Sequence, residues 1–151
     1  MSRQLGKLHH LAICVSDMQR SEKFYASVLE HLGYAQGQEM KADAIADHVP
    51  GGRNTFIIWT GPGGALSIWP GNPASPNKQH DMYSPGLHHL ALAADSREQV
   101  DELFKHLQKT GANILDAPAE YDYMPGYYAV FFTDPDGIKL ELAYTPGFPP
   151  E

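Results

Sequence analysis

Apolar residues alternate with others at Leu11, Ile13 and Val15, and again at Leu90, Leu92 and Ala94, the two-residue period of a strand with one buried face. Both runs open alike: Leu8-His9-His10-Leu11-Ala12 recurs as Leu87-His88-His89-Leu90-Ala91. Each closes on a short oxygen-bearing pair, Ser16-Asp17 and Asp95-Ser96. Such side chains accept from the free N–H groups of a first helical turn, so a helix is predicted behind each strand. The apolar period then changes to threes and fours, at Phe24, Tyr25, Val28, Leu29 and Leu32 and at Val100, Leu103, Phe104 and Leu107. Gly33 and Gly111 end the two helices. Short strands are expected near Tyr34–Glu39 and Asn113–Leu115. Two hairpins follow: 56–60 with 65–69 around Gly61-Pro62-Gly63-Gly64, and 128–133 with 138–143 around Asp134-Pro135-Asp136-Gly137.

The pattern is strand-helix-strand-strand-strand, twice, which predicts an α+β protein of two βαβββ modules, residues 5–75 and 84–146. The Pro-, Asn- and Ser-rich segment 70–85 joins them, and 146–151 reads as a tail. A half of about 70 residues has little core of its own, so the sheets are expected to pair, within one domain spanning residues 1–151 or across a homodimer.

Composition narrows the function classes. Eleven Lys and Arg stand against 18 Asp and Glu, a net charge of -7 with no basic cluster, which excludes a phosphate-neutralising nucleic-acid surface. The longest apolar run, Tyr127–Phe132, is far short of the roughly 20 residues of a membrane span. The opening Met-Ser-Arg-Gln-Leu-Gly has no apolar signal core, and the lone Cys14 cannot form an internal disulfide, so a cytoplasmic protein is expected. Cys14, without a basic neighbour, is assigned to packing rather than nucleophilic chemistry.

Eight His, four of them in the two adjacent pairs, are the unusual feature. Strand parity sorts them. If Leu11, Ile13 and Val15 pack on the helix, His10, Ala12 and Cys14 face away; likewise His89, Ala91 and Ala93. In the last strand Ile138, Leu140 and Leu142 pack inward, turning Lys139, Glu141 and Ala143 outward. Three strands thus each offer a metal-competent side chain: His10, His89 and Glu141. Two neutral imidazoles and a carboxylate on one side of a divalent ion leave positions open for water and substrate. By the same parity His9 and His88 point away from these ligands as polar residues at strand entry, with a supporting role behind the ligands as the alternative. His31 and His106 lie near helix ends, where they suit the dipole. His48, amid Asp43, Asp47 and Arg53, belongs to a long loop of the kind that closes over sites.

Three segments carry a family resemblance: His10-Leu-Ala-Ile-Cys-Val-Ser-Asp17, His89-Leu-Ala-Leu-Ala-Ala-Asp95 and Phe132-Thr-Asp-Pro-Asp-Gly-Ile-Lys-Leu-Glu141. Together, from about Lys7 to Tyr144, the chain resembles the vicinal oxygen chelate superfamily, which includes glyoxalase I, methylmalonyl-CoA epimerase, extradiol dioxygenases, fosfomycin-resistance enzymes and bleomycin-binding proteins. The resemblance implies paired βαβββ modules, curved mixed sheets around a metal cleft with helices outside, commonly in a dimer. It places His10, His89 and Glu141 on metal-ligand positions, for one divalent ion of Fe, Zn, Mn, Ni or Co.

Departures from the family members narrow the activity. Glyoxalase I and the epimerase carry a fourth ligand, Glu or Gln, on the strand that here reads Ala65-Leu66-Ser67-Ile68-Trp69. Parity puts Ser67 at that place, and a gapless alignment of the turns puts Ile68 there; neither is a carboxylate, so the base of a glyoxalase I mechanism is missing. Extradiol enzymes carry an acidic Tyr about ten residues before the Glu, where Phe131 stands here. The basic residues of fosfomycin-resistance enzymes are not evident after Glu141. The expectation is a glyoxalase-like lyase or isomerase, or a dioxygenase, acting on a small oxygenated, partly apolar substrate. The alternative is a resistance-type protein that sequesters a small molecule without turnover.

The substrate pocket is expected to be lined by Ser67, Trp69, Phe131 and Tyr121, because parity puts the first three on the ligand face and the loop 120–126 is dense in aromatics. Proton-handling candidates are Tyr127, Tyr123 and His80, the last beside Asp81.

Overall fold

The computed structural model describes residues 6–42 and 54–147, so His48 and its neighbours Asp43, Asp47 and Arg53 lie outside the described residues. The chain forms two compact units, Met1–Lys78 and Gln79–Glu151. In the first, β1 (His10–Val15) leads to α1 (Met18–His31), then β2 (Gln38–Lys41), β3 (Thr55–Gly61) and β4 (Gly64–Pro70). In the second, β5 (Leu90–Ala93) leads to α2 (Arg97–Thr110), then β6 (Asn113–Glu120), β7 (Tyr128–Thr133) and β8 (Lys139–Tyr144). The sheets run β1-β4-β3-β2 and β5-β8-β7-β6. Each is mixed, its first and last strands parallel and the rest antiparallel. This is the α+β architecture of two βαβββ modules that the repeat predicts.

The helices start and stop where side chains dictate. Asp17 Oδ1 accepts from Arg20 N–H at 3.0 Å, and Ser96 Oγ accepts from Gln99 N–H at 3.3 Å. Leu32 closes α1 ahead of Gly33, whose φ is 89°. Gly111 closes α2 in the left-handed region at φ 73°, a conformation that costs an L side chain but not glycine. The turn of the second hairpin is tied by buried Asp134, whose Oδ1 accepts from the N–H groups of Asp136 at 2.9 Å and Ile138 at 2.8 Å.

Two strands differ from expectation. The segment from Tyr34 is still engaged in closing α1, with Tyr34 N–H donating to Leu29 O and Ala35 N–H to Thr60 O, so β2 begins only at Gln38. β6 runs on to Glu120 rather than ending near Leu115, with register shifts between Ile114 and Asp116 and between Asp116 and Ala119. Pro118, which has no N–H to give a ladder, stands within the second irregularity.

Each sheet has a helix-covered face. In the first module Leu11, Ile13 and Val15 pair in register with Leu66, Ile68 and Pro70. Trp59, fully buried on this face, donates its indole N–H to Glu30 Oε1 of α1 at 3.3 Å and packs near Tyr25. The same carboxylate oxygen accepts from Gly37 N–H at 3.3 Å. A Cβ at Gly37 would lie 2.6 Å from Trp59 Nε1, so the backbone can approach the indole only as glycine.

In the second module Val130, Phe132, Leu140 and Leu142 are buried on the corresponding face with Val100, Leu103 and Leu107 of α2. Tyr128 marks the rim of this face: its OH donates to Asp101 Oδ1 at 2.7 Å, and the Arg97 guanidinium lies 4.9 Å from its ring centroid. The bond to Asp101, with burial second, holds the Tyr128 phenol above its usual value. Because the folded value is raised, this stabilisation is present in full below the unfolded tyrosine value and is lost as pH climbs through the folded one. Asp101→Asn is therefore expected to move one late-ionising tyrosine to lower pH in an ultraviolet phenolate titration; an unchanged profile would contradict the assignment. No helix among the described residues is long and apolar enough to cross a membrane.

Candidate functional site

The candidate residues lie on the faces of the two sheets that the helices leave uncovered. In the second module Glu141 sits on β8 opposite Phe131 of β7 and beside Ala91 of β5, with Lys139 two residues before it. Glu141 is 2% exposed. A carboxylate buried this far is costly unless its oxygens are paired, and both are. Oε1 accepts from the Tyr127 phenol, and Oε2 lies 3.1 Å from His89 Nε2.

That pair fits a metal. Two ligands about 2.1 Å from one ion are about 3.0 Å apart at a right angle and about 3.4 Å apart at a tetrahedral angle, and the observed 3.1 Å falls between. Nitrogen and carboxylate oxygen are also donors suited to Fe, Zn, Mn, Ni or Co. Among the described residues no three His, Cys, Asp or Glu side chains gather into a ready-made cage; the second module supplies two donors.

The first module repeats the placement. His10, Ala12 and Cys14 of β1 stand in register with Ala65, Ser67 and Trp69 of β4. Parallel register partners share a face, so Ser67 lies on the His10 face, while Ile68, fully buried, pairs with Ile13 on the helix face. Ser67 is thereby the counterpart of Glu141, since Ala12 pairs with Ser67 as Ala91 pairs with Glu141. Its hydroxyl accepts from Trp69 Nε1 at 3.1 Å, and the Trp69 ring stacks on Phe56 at 4.1 Å.

Aromatic side chains surround the Glu141 pair. Tyr121 meets Phe131 edge-on at 5.2 Å and Tyr127 at 6.4 Å, and stacks with Tyr123 at 5.5 Å; Tyr123 meets Tyr127 edge-on at 5.3 Å. The loop holding them is closed by Tyr121 N–H donating to Tyr127 O. Burial, then the bond to Glu141, raises the Tyr127 phenol far above its ordinary value, and burial foremost raises Tyr121. Tyr127 is therefore a phenol, not a phenolate, throughout the physiological range. The Lys139 ammonium lies 4.4 Å from the Phe131 ring centroid, a cation on the same face as Glu141.

His80 is held by other groups: its Nε2 lies 2.7 Å from Leu87 O, and its backbone N–H donates to Asp136 O, tying the segment before β5 to the second hairpin turn.

Two sequence expectations need correction. Cys14 is exposed, not packed, because it lies on the face the helix leaves uncovered. His9 and His88 do not turn away from the ligand candidates. His9 Nδ1 is 2.8 Å from His10 Nδ1, and His88 Nδ1 is 2.7 Å from His89 Nδ1. Alternation holds within a strand, but β1 begins at His10 and β5 at Leu90, so the residues ahead are free to bring their rings together. The adjacent His-His pairs were the available signal.

Comparison with known proteins agrees with this architecture. The model of the glyoxalase/bleomycin resistance protein/dioxygenase superfamily matches residues 7–142. The chain is 30% identical over 136 residues to the protein YqjT of Bacillus subtilis (strain 168), covering 89% of this chain and 96% of that one. It is 26% identical over 140 residues to the 2,2',3-trihydroxybiphenyl dioxygenase of Sphingomonas paucimobilis, covering 91% of this chain and 40% of that enzyme. The solved glyoxylase/bleomycin resistance protein/dioxygenase domain from Frankia sp. EAN1pec shares the fold, with a TM-score of 0.73 at 22% identity, covering 93% of this chain and 98% of that one.

Proposed function

Since the chain belongs to the glyoxalase/bleomycin resistance protein/dioxygenase superfamily, whose members generally use a divalent metal, we propose that it is a metal-dependent enzyme acting on a small, oxygenated, partly apolar substrate. His10, His89 and Glu141 hold one divalent ion. When bound, that ion supplies Lewis acidity toward adjacent substrate oxygens. The observation that carries the reading is the buried Glu141 carboxylate, paired through Oε2 with His89 Nε2 and through Oε1 with Tyr127, while the repeat puts His10 at the corresponding place of the other module.

The chain's own groups do the rest. Tyr127 keeps Glu141 in one orientation and, as a phenol, can donate but not abstract a proton. Tyr121, Tyr123 and Phe131 offer ring faces and edges to an apolar substrate, Ser67 and Trp69 share the His10 face of the first sheet, and Lys139 favours an oxygen bearing negative charge. The hydroxyl of Ser67 stands where a second carboxylate would be needed to shuttle a proton between substrate carbons, which argues against glyoxalase I chemistry. His80 remains a candidate proton carrier through Nδ1. The working protein is proposed to be a cytoplasmic homodimer, the site completed within one chain or by His10 of a second copy.

The test is metal identification in protein purified without chelators or affinity-resin metal, followed by oxygen consumption. Iron with oxygen uptake identifies a dioxygenase; zinc, nickel, cobalt or manganese without uptake identifies a lyase, isomerase or transferase. Absence of a stoichiometric ion, with His10→Ala leaving small-molecule binding unchanged, would overturn the enzyme reading in favour of sequestration.

A further inference from the structure

The same device stands at the entry to the first strand of both modules. The His9 and His10 rings lie 5.1 Å apart at 81°, and the His88 and His89 rings 5.0 Å apart at 75°. In each pair the two Nδ1 atoms face one another, at 2.8 Å and 2.7 Å. At these separations one Nδ1 carries a proton and the other a lone pair, because two lone pairs or two N–H groups would repel. His88 is further braced by Tyr83, whose ring meets it edge-on at 5.3 Å.

We propose that His9 and His88 are positioning residues: each accepts at Nδ1 from the Nδ1–H of the following histidine and thereby leaves that ring's Nε2 lone pair directed at a metal ion. The inference rests on the reading of His10 and His89 as ligands.

Two hydrogen-bond states satisfy the second pair. In one, His88 Nδ1–H donates to His89 Nδ1, which places the His89 proton on Nε2, facing Glu141 Oε2 at 3.1 Å. In the other, His89 Nδ1–H donates to His88 Nδ1, His89 Nε2 is a lone pair, and His88 carries its single ring proton on Nε2. Passing from the first to the second, one proton passes from His89 Nε2 to water, one crosses from His88 Nδ1 to His89 Nδ1, and one is taken from water by His88 Nε2. The protons balance and neither ring becomes charged. His88 and His9 are exposed, so water reaches them to complete the exchange. A ligand histidine can therefore surrender its Nε2 proton without forming an imidazolium or imidazolate, and its ring plane is held while it does so. The first pair offers the same choice between His9 and His10.

The test uses cobalt(II) titration of the full chain. His88→Phe and His9→Phe keep a ring but remove the bonding nitrogen, and each is expected to weaken cobalt binding about 10- to 100-fold. Melting temperature should stay near wild type, since both residues are exposed, and His88→Asn should recover part of the loss by restoring a hydrogen-bonding group. Phe variants that bind cobalt as wild type does would overturn the inference. Nitrogen NMR of the metal-free protein tests it separately: His88→Phe is expected to shift the Nδ1 resonance of His89 and not that of His10, and an unmoved His89 resonance overturns the proposal. If wild type binds no cobalt, the metal reading of the preceding section fails, while the NMR result still decides whether the pairs hold the rings.

Discussion

Glu141→Gln is expected to lower divalent-metal affinity about 50- to 1000-fold. Structural zinc sites with four ligands bind with about 10–16 kcal/mol, or about 2.5–4 kcal/mol for each ligand, and every 1.4 kcal/mol is about tenfold. Glutamine preserves the shape of the side chain and retains an amide oxygen to accept from Tyr127, so the fold should survive while the anionic donor is lost. Competition with a chromophoric chelator measures the change, and circular dichroism checks the fold. A Glu141→Gln protein that is folded and binds metal as tightly as wild type would remove Glu141 from the site.

The second large effect concerns stability. Trp59 is fully buried between the first sheet and α1, and its indole N–H bonds Glu30. Trp59→Ala removes the largest fully buried side chain of the described residues and opens a cavity, for an expected cost of about 3–5 kcal/mol. It also takes one donor from Glu30 Oε1, which keeps only Gly37 N–H of the pair described above. For a chain of this length such a loss corresponds to a fall in melting temperature of roughly 6–20 °C. Trp59→Phe should recover much of the packing but not the indole bond, and so fall between the two. A Trp59→Ala protein with wild-type stability in chemical denaturation would contradict the place of this indole in the core.

Local rules made much of this legible. Asp17 and Ser96 cap helices because a short oxygen can reach the free N–H groups of a first turn wherever it stands ahead of one, and no tertiary contact is needed to see that. Parity put Ser67 rather than Ile68 on the face of His10, and Phe131 on the face of Glu141, because a pleated strand allows no other arrangement. The features that escaped depend on where regularity ends. The His9–His10 and His88–His89 ring pairs form just outside or at the first residue of a strand, where alternation no longer governs direction. β6 outruns its apolar pattern because register irregularities carry pairing past Pro118. The bond from Tyr127 to Glu141 needed the hairpin register as well as parity, and Lys139 over Phe131 needed the rotamer of a long side chain. The faces on which the candidate residues lie were thus readable from the sequence, and their hydrogen bonds were not.

Anomalous diffraction at the absorption edge of the native metal, from crystals grown without added chelator, tests the central claim most directly. The expected map has one peak per chain, about 2.0–2.3 Å from His10 Nε2, His89 Nε2 and a Glu141 carboxylate oxygen, with the three ligands drawn from one chain or from two copies. Metal-loaded crystals with no peak, or with a peak that touches none of these atoms, would contradict it.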